Sequence, residues 1–161
     1  PFSLLKILLK FKLMRREDFL KDKFKYIHEI IPRETLIENQ NIQIIRNITE
    51  TRLDRNKTLP VETQIIYIFK KPNEQQTIII SFFKIIYEEE RKFILDLESL
   101  KNFVRKCKSY NLSHDELALI LDDLLEKVED VMLYYEFENK EINNLKQNIK
   151  NFFEMYINMR P

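Results

Sequence analysis

Residues 113–135 read SHDELALILDDLLEKVEDVMLYY. At 100° per residue, Leu117, Ile120, Leu121, Leu124, Leu125, Val128, Val131, Met132 and Tyr135 share one face, while Asp115, Glu116, Asp122, Asp123, Glu126, Glu129 and Asp130 share the opposite one. Ser113 followed three residues later by Glu116 is a capping box and marks where the helix starts. A helix with so continuous an apolar stripe buries it against a second layer, and the chain upstream supplies an amphipathic sheet. The fold class read from this is α+β: an N-terminal helical region, a four-stranded antiparallel meander, then two or three C-terminal helices packed on the sheet.

The sheet is predicted from a change of period after Pro32. NIQIIRNITETRL (41–53) is rich in Ile and Thr, and VETQIIYIFK (61–70) alternates, with Val61, Thr63, Ile65, Tyr67 and Phe69 on one side and Ile66 and Ile68 on the other. Pro72-Asn73 is turn chemistry; TIIISFFKIIYEEE (77–90) reads as a long strand, and KFILDL as a short one after the charged turn at 89–92. Apolar residues on both faces of the middle strands predict a sheet covered on both sides. The helical period returns at Leu97, Leu100, Phe103, Val104 and Cys107, with Asp96 as the N-cap, and again at Ile142, Leu145, Ile149, Phe152, Phe153 and Tyr156. No Gly or Pro separates the last two helical stretches; a break near 136–140 is expected.

A chain of 161 residues fits a single domain, 1–161, comprising a basic helical segment (1–31), an antiparallel sheet (41–97) and a helical part (97–158). Residues 2–14, FSLLKILLKFKLM, are the most hydrophobic run, but Lys6, Lys10 and Lys12 interrupt it and it is too short to span a bilayer. It reads as a core helix, an interfacial helix or a helix that docks on a partner. Phe19, Leu20, Phe24, Ile27 and Ile31 continue the helical spacing up to Pro32.

Composition narrows the function. There is no Gly and no Trp, Ala118 is the only alanine, and Ile, Lys, Asn and Phe abound, which points to an AT-rich genome. Without glycine, a P-loop, a Rossmann fingerprint, a kinase Gly-rich loop and a nucleophile elbow are all excluded from this chain. His28 and His114 have no orienting partner in the sequence, and no pair of metal-binding spacing exists. The acidic run on the 113–135 helix lacks a loop at calcium-ligand spacing and reads as a solvated face. The lone Cys107 sits on an apolar stripe and points to a reducing, intracellular compartment, cytoplasmic or organellar. The expectation is therefore no enzyme, no cofactor and no metal.

Charge is unevenly spread around a net of +1: residues 1–113 carry 22 Lys+Arg against 15 Asp+Glu, and residues 114–141 carry 2 against 10. Basic and aromatic residues interleave on the sheet, with Tyr67, Phe69, Lys70 and Lys71 before the 72–73 turn and Phe82, Phe83, Lys84, Tyr87, Arg91 and Lys92 after it. Stacking rings beside cations are what single-strand nucleic-acid platforms use. Four antiparallel strands followed by a helix, over residues 41–110, also resemble the unit of whirly and Pur-alpha type single-strand binders; that resemblance implies nucleic-acid binding on the sheet face. The leading expectation is nevertheless a non-enzymatic module, a subunit or factor of a larger protein or ribonucleoprotein assembly, docking through Phe2, Leu5, Leu9, Lys10, Lys12, Arg15 and Arg16. The alternative is single-stranded nucleic-acid binding through Tyr67, Phe69, Lys70, Lys71, Phe82, Lys84, Tyr87, Arg91 and Lys92.

Overall fold

The computed structural model describes residues 26–52, 61–87 and 90–158, of which the side chains at 26, 52, 85–87, 90–92 and 158 are not described. Five strands, β1 (Tyr26–Glu38), β2 (Gln43–Arg52), β3 (Val61–Lys71), β4 (Glu74–Tyr87) and β5 (Glu90–Leu95), form one antiparallel sheet in sequential order. Three helices follow, α1 (Leu97–Ser109), α2 (His114–Tyr134) and α3 (Asn139–Asn158). The α+β class and the order of sheet then helices are as the sequence predicts.

The strand count is five, because 26–38 forms β1 where a helix was expected up to Ile31. Pro32 misleads the reading. Proline rules out a central strand but is tolerated on an edge, where its missing N–H need not pair inward, and β1 is an edge strand. Polar side chains also tie β1 to β2: Asn47 Nδ2 donates to Glu29 Oε2 (3.1 Å), and Arg46 Nη2 to Glu34 Oε2 (2.7 Å). The helical expectation for residues 1–25 lies outside the described residues.

A chain without glycine must turn by other means. Asn39 Oδ1 accepts from the backbone N–H groups of Asn41 (2.8 Å) and Ile42 (2.9 Å), closing the β1–β2 loop as an Asx turn. Between β3 and β4, Pro72 sets the first turn position and Asn73 takes a φ of 69°, as a type II turn requires. Asn111 (φ 52°) ends α1, and Glu136 (φ 63°) ends α2.

The chain packs as two compact units, each drawing on parts of β1 to β4. Residues 35–45, 68–78 and 97–161 make up one, which holds all three helices. Its buried side chains among the described residues are hydrophobic in type, with the tyrosines Tyr110 and Tyr135 included: Phe69, Ile78, Leu100, Phe103, Cys107, Ile120, Leu124, Val128, Met132, Ile149 and Phe153 are also buried. α3 packs on both α1 and α2, and Lys146 Nζ reaches Glu129 Oε1 across the α2–α3 pair (3.3 Å). The other unit, residues 1–34, 46–67 and 79–96, has Ile48, Val61, Ile65, Tyr67, Ile80, Phe82 and Phe83 in its core. Its β4–β5 pairing runs from Phe82↔Leu95 to Tyr87↔Glu90. Among the described residues, every buried polar or charged side chain falls in this second unit.

Candidate functional site

α2 carries the surface with the clearest design. The capping box forms as written in the sequence: Glu116 N–H donates to Ser113 Oγ (3.2 Å), and Ser113 N–H donates to Glu116 Oε1 (2.9 Å). Fixing the start of the helix fixes the rotation of everything after it. Ile120, Leu124, Val128, Val131 and Met132 turn inward and are buried. Asp115, Leu119, Asp122, Glu126, Asp130 and Leu133, at successive spacings of four or three, make one outward stripe. Leu119 is 43% exposed, Leu133 51% and Tyr134 58%, so the stripe is not merely a solvated acidic face. Across α2 as a whole, seven carboxylates face the single cation Lys127. That lysine lies 3.2 Å from Glu126 and 3.5 Å from Asp130.

The exposed leucines are what a reading of the sequence misses. The periodicity assigns the inward stripe correctly, but Leu119 and Leu133 lie off it, in a position where apolar letters are passed over. Their signal is spacing: they stand two heptads apart on the face otherwise given to acids.

The residues proposed for base stacking have a different fate. Tyr67 and Phe69 are 0% exposed and Phe82 is 1% exposed. Phe69 stacks on Tyr110 (centroids 4.9 Å apart) and Phe82 on Phe93 (5.1 Å), so neither offers a free ring face to a base. Lys71 Nζ stands 4.6 Å over the Tyr110 ring, and Lys70, Lys71 and Lys84 are half-buried. Burial, then the negative charge of Glu74, raises the Tyr110 hydroxyl pKa. Tyr67, Phe82 and Lys84 belong to one compact unit, and Phe69, Lys70 and Lys71 to the other. Tyr87, Arg91 and Lys92 lie in β4 and β5, with Ile86 opposite Arg91 and Ile85 opposite Lys92 in the backbone register. The docking residues Phe2, Leu5, Leu9, Lys10, Lys12, Arg15 and Arg16 lie outside the described residues.

A second feature was not legible as a site: the polar residues buried in β2 and β3. Arg46, Glu50, Glu62 and Thr63 are fully buried, and Asn47, Thr51 and Gln64 nearly so. Arg46 reaches Glu34 and the Pro32 carbonyl (3.3 Å); Glu50 Oε1 lies 3.7 Å from His28 Nε2; Thr49 Oγ1 donates to Gln64 Oε1 (3.3 Å). Thr51 Oγ1, Asn47 Oδ1 and Gln64 Nε2 have no hydrogen-bond partner among the described residues. Cys107 is also buried, which pushes its thiol pKa up to about 12 and removes it as a nucleophile. No group of three or more His, Cys, Asp or Glu side chains able to hold a metal ion occurs among the described residues, and no helix there is long and apolar enough to cross a membrane.

The fold and this surface define an α+β protein with an acidic helix face that exposes leucine. Comparison of the chain with protein-family models, with curated proteins and with solved structures finds no match.

Proposed function

We propose that this chain is a non-enzymatic binding module, a subunit or factor of a larger assembly, and that it docks a protein partner through the outer face of α2. The observation that carries this is the stripe Asp115–Leu119–Asp122–Glu126–Asp130–Leu133. Its two leucines and the neighbouring Tyr134 are exposed on a capped helix, whose other face is anchored in an apolar core. Apolar side chains held rigidly amid a polar rim are the raw material of an interface, since their rotamers and backbone are already fixed before a partner arrives. The burial of Tyr67, Phe69 and Phe82 withdraws support from a base-stacking surface.

Site-specific photocrosslinking tests it. A benzophenone side chain placed at 119 or 133 is expected to capture the same protein species from the native cell, and one placed at Asn143, exposed on α3, is not. That species should co-purify with the unmodified chain and not with the Leu119→Ser/Leu133→Ser variant. Capture of nucleic acid, or equal capture from Asn143, would overturn the proposal.

A further inference from the structure

Resting on that reading of α2, we propose that the partner element is a basic amphipathic helix laid along the stripe from Asp115 to Leu133. Eighteen residues separate those two positions, which corresponds to about 27 Å at 1.5 Å per residue. Leu119 and Leu133 stand fourteen residues apart, two heptads, so an apposed helix meets both with apolar residues at the same two-heptad spacing. Between them lie Asp122, Glu126 and Asp130, and cations at intervening positions of the partner face these carboxylates. Lys127 already serves Glu126 and Asp130. Asp115 and Asp122 carry no ion pair among the described residues and are the carboxylates left for the partner's lysines or arginines.

The charge disfavours the other surfaces open to such a face. Nucleic-acid phosphates and anionic lipid headgroups are both repelled by seven carboxylates against one lysine. A divalent cation needs a cage of oxygens, which a single stripe on a regular helix does not close. An acidic or purely apolar partner helix leaves Asp122 desolvated beside a like charge or no charge, a cost that discriminates against it. A cationic, leucine-bearing helix meets both demands at once.

The test uses the full chain and a fluorescent synthetic peptide of about 18 residues, built from Leu and Lys with leucines at the two-heptad spacing, titrated by anisotropy. Controls are a scrambled peptide of the same composition and a Leu/Glu peptide of the same pattern. The expected result is micromolar binding of the patterned Leu/Lys helix alone. It should weaken about tenfold or more between about 0.1 M and about 1 M salt, as the Debye length shrinks from about 10 to about 3 Å. Asp122→Lys/Glu126→Lys and Leu119→Ser/Leu133→Ser should each weaken binding about tenfold while circular dichroism stays unchanged, because Asp122, Glu126, Leu119 and Leu133 are all exposed. Equal binding of the scrambled or Leu/Glu peptide, or indifference to both double variants, overturns the inference. If the photocrosslinks form at 119 and 133 and the Leu/Lys helix still fails to bind, the partner's chemistry is wrong and the docking face stands. Absence of the crosslinks removes the docking face itself.

Discussion

Arg46 and Glu34 form a lopsided pair. The guanidinium is fully buried, whereas the Glu34 carboxylate is 62% exposed, and they meet at 2.7 Å. Removing the exposed partner therefore does the greater harm. Glu34→Ala takes from a fully buried guanidinium the carboxylate oxygen at 2.7 Å, while Arg46 keeps the Pro32 carbonyl and its other interactions, and should cost about 1–3 kcal/mol. Arg46→Met keeps the stem, deletes the buried charge and frees a carboxylate that water already reaches, so its cost should be about 1 kcal/mol or less. Urea unfolding of the two variants checks the order; the reverse order would mean that Arg46 acts mainly through packing. The buried thiol gives a second test at this scale. With its pKa raised from 9.0 to about 12, Cys107 should resist alkylation at pH 8–9 in the folded chain and react only through unfolding. The same shift makes the thiol favour the folded state below pH 9, and that contribution is lost as pH rises from about 9 towards 12. Cys107 was legible in the sequence because its helical stripe was. Arg46, Glu50 and Glu62 were not, since a polar letter in a strand reads as solvent-facing unless the packing above it is known.

Elements follow the sequence wherever a period is sustained. α2 was readable to within a residue, from its capping box and nine-residue stripe, the strand at 43–52 from its Ile and Thr content, and that at 61–71 from its alternation. β1 was not, because Ile27 and Ile31 satisfy a helical spacing as well as a strand's outer face, and the choice is made by pairing with β2. The break between α2 and α3 falls at 135–138, close to where it was expected, although no residue there announces a turn. Its geometry is a Schellman motif: Glu136 N–H donates to the Leu133 carbonyl (2.9 Å), and Phe137 N–H to the Met132 carbonyl (3.0 Å), with Phe137 and Met132 both buried. Glu136 occupies the left-handed position that glycine fills in most proteins, at a cost of about 1–2 kcal/mol for a residue with a side chain. Glu136→Gly should therefore raise stability by about 0.5–1 kcal/mol once the extra freedom of the unfolded chain is counted. An increased urea midpoint at unchanged slope is the expected reading. At the other end of α2, Ser113→Ala should cost about 1 kcal/mol by orphaning the Glu116 N–H.

At the scale of the whole molecule the two units differ in what they bury, and that difference decides what the sheet can do. The helical unit buries hydrophobic residues, tyrosines included, and no charged or amide side chain among those described, so its stability rests mainly on area removed from water. The other unit buries charges and amides as well as Tyr67, Phe82 and Ile65, and leaves Thr51 Oγ1 and Asn47 Oδ1 without hydrogen-bond partners among the described residues. Basic and aromatic residues interleaved along β3 and β4 look like a nucleic-acid platform in one dimension, because the sequence does not say which side of each strand is covered. In the structure Tyr67, Phe69 and Phe82 are core, and Lys70, Lys71 and Lys84 are half-buried. Phe82→Ala separates the two readings. As a core ring, it should lower folding stability by about 3–5 kcal/mol, seen as a large fall in the urea midpoint. As a stacking ring, it would leave that midpoint nearly unchanged and weaken single-strand binding by about 1–3 kcal/mol. With its ring 1% exposed and stacked 5.1 Å from Phe93, the expected outcome is the first. Tyr67→Phe serves as the milder companion, since it keeps the ring in the core and removes only the hydroxyl. A folded Phe82→Ala chain of near-normal stability, binding single strands more weakly than the parent, would return the sheet to candidacy as the functional surface.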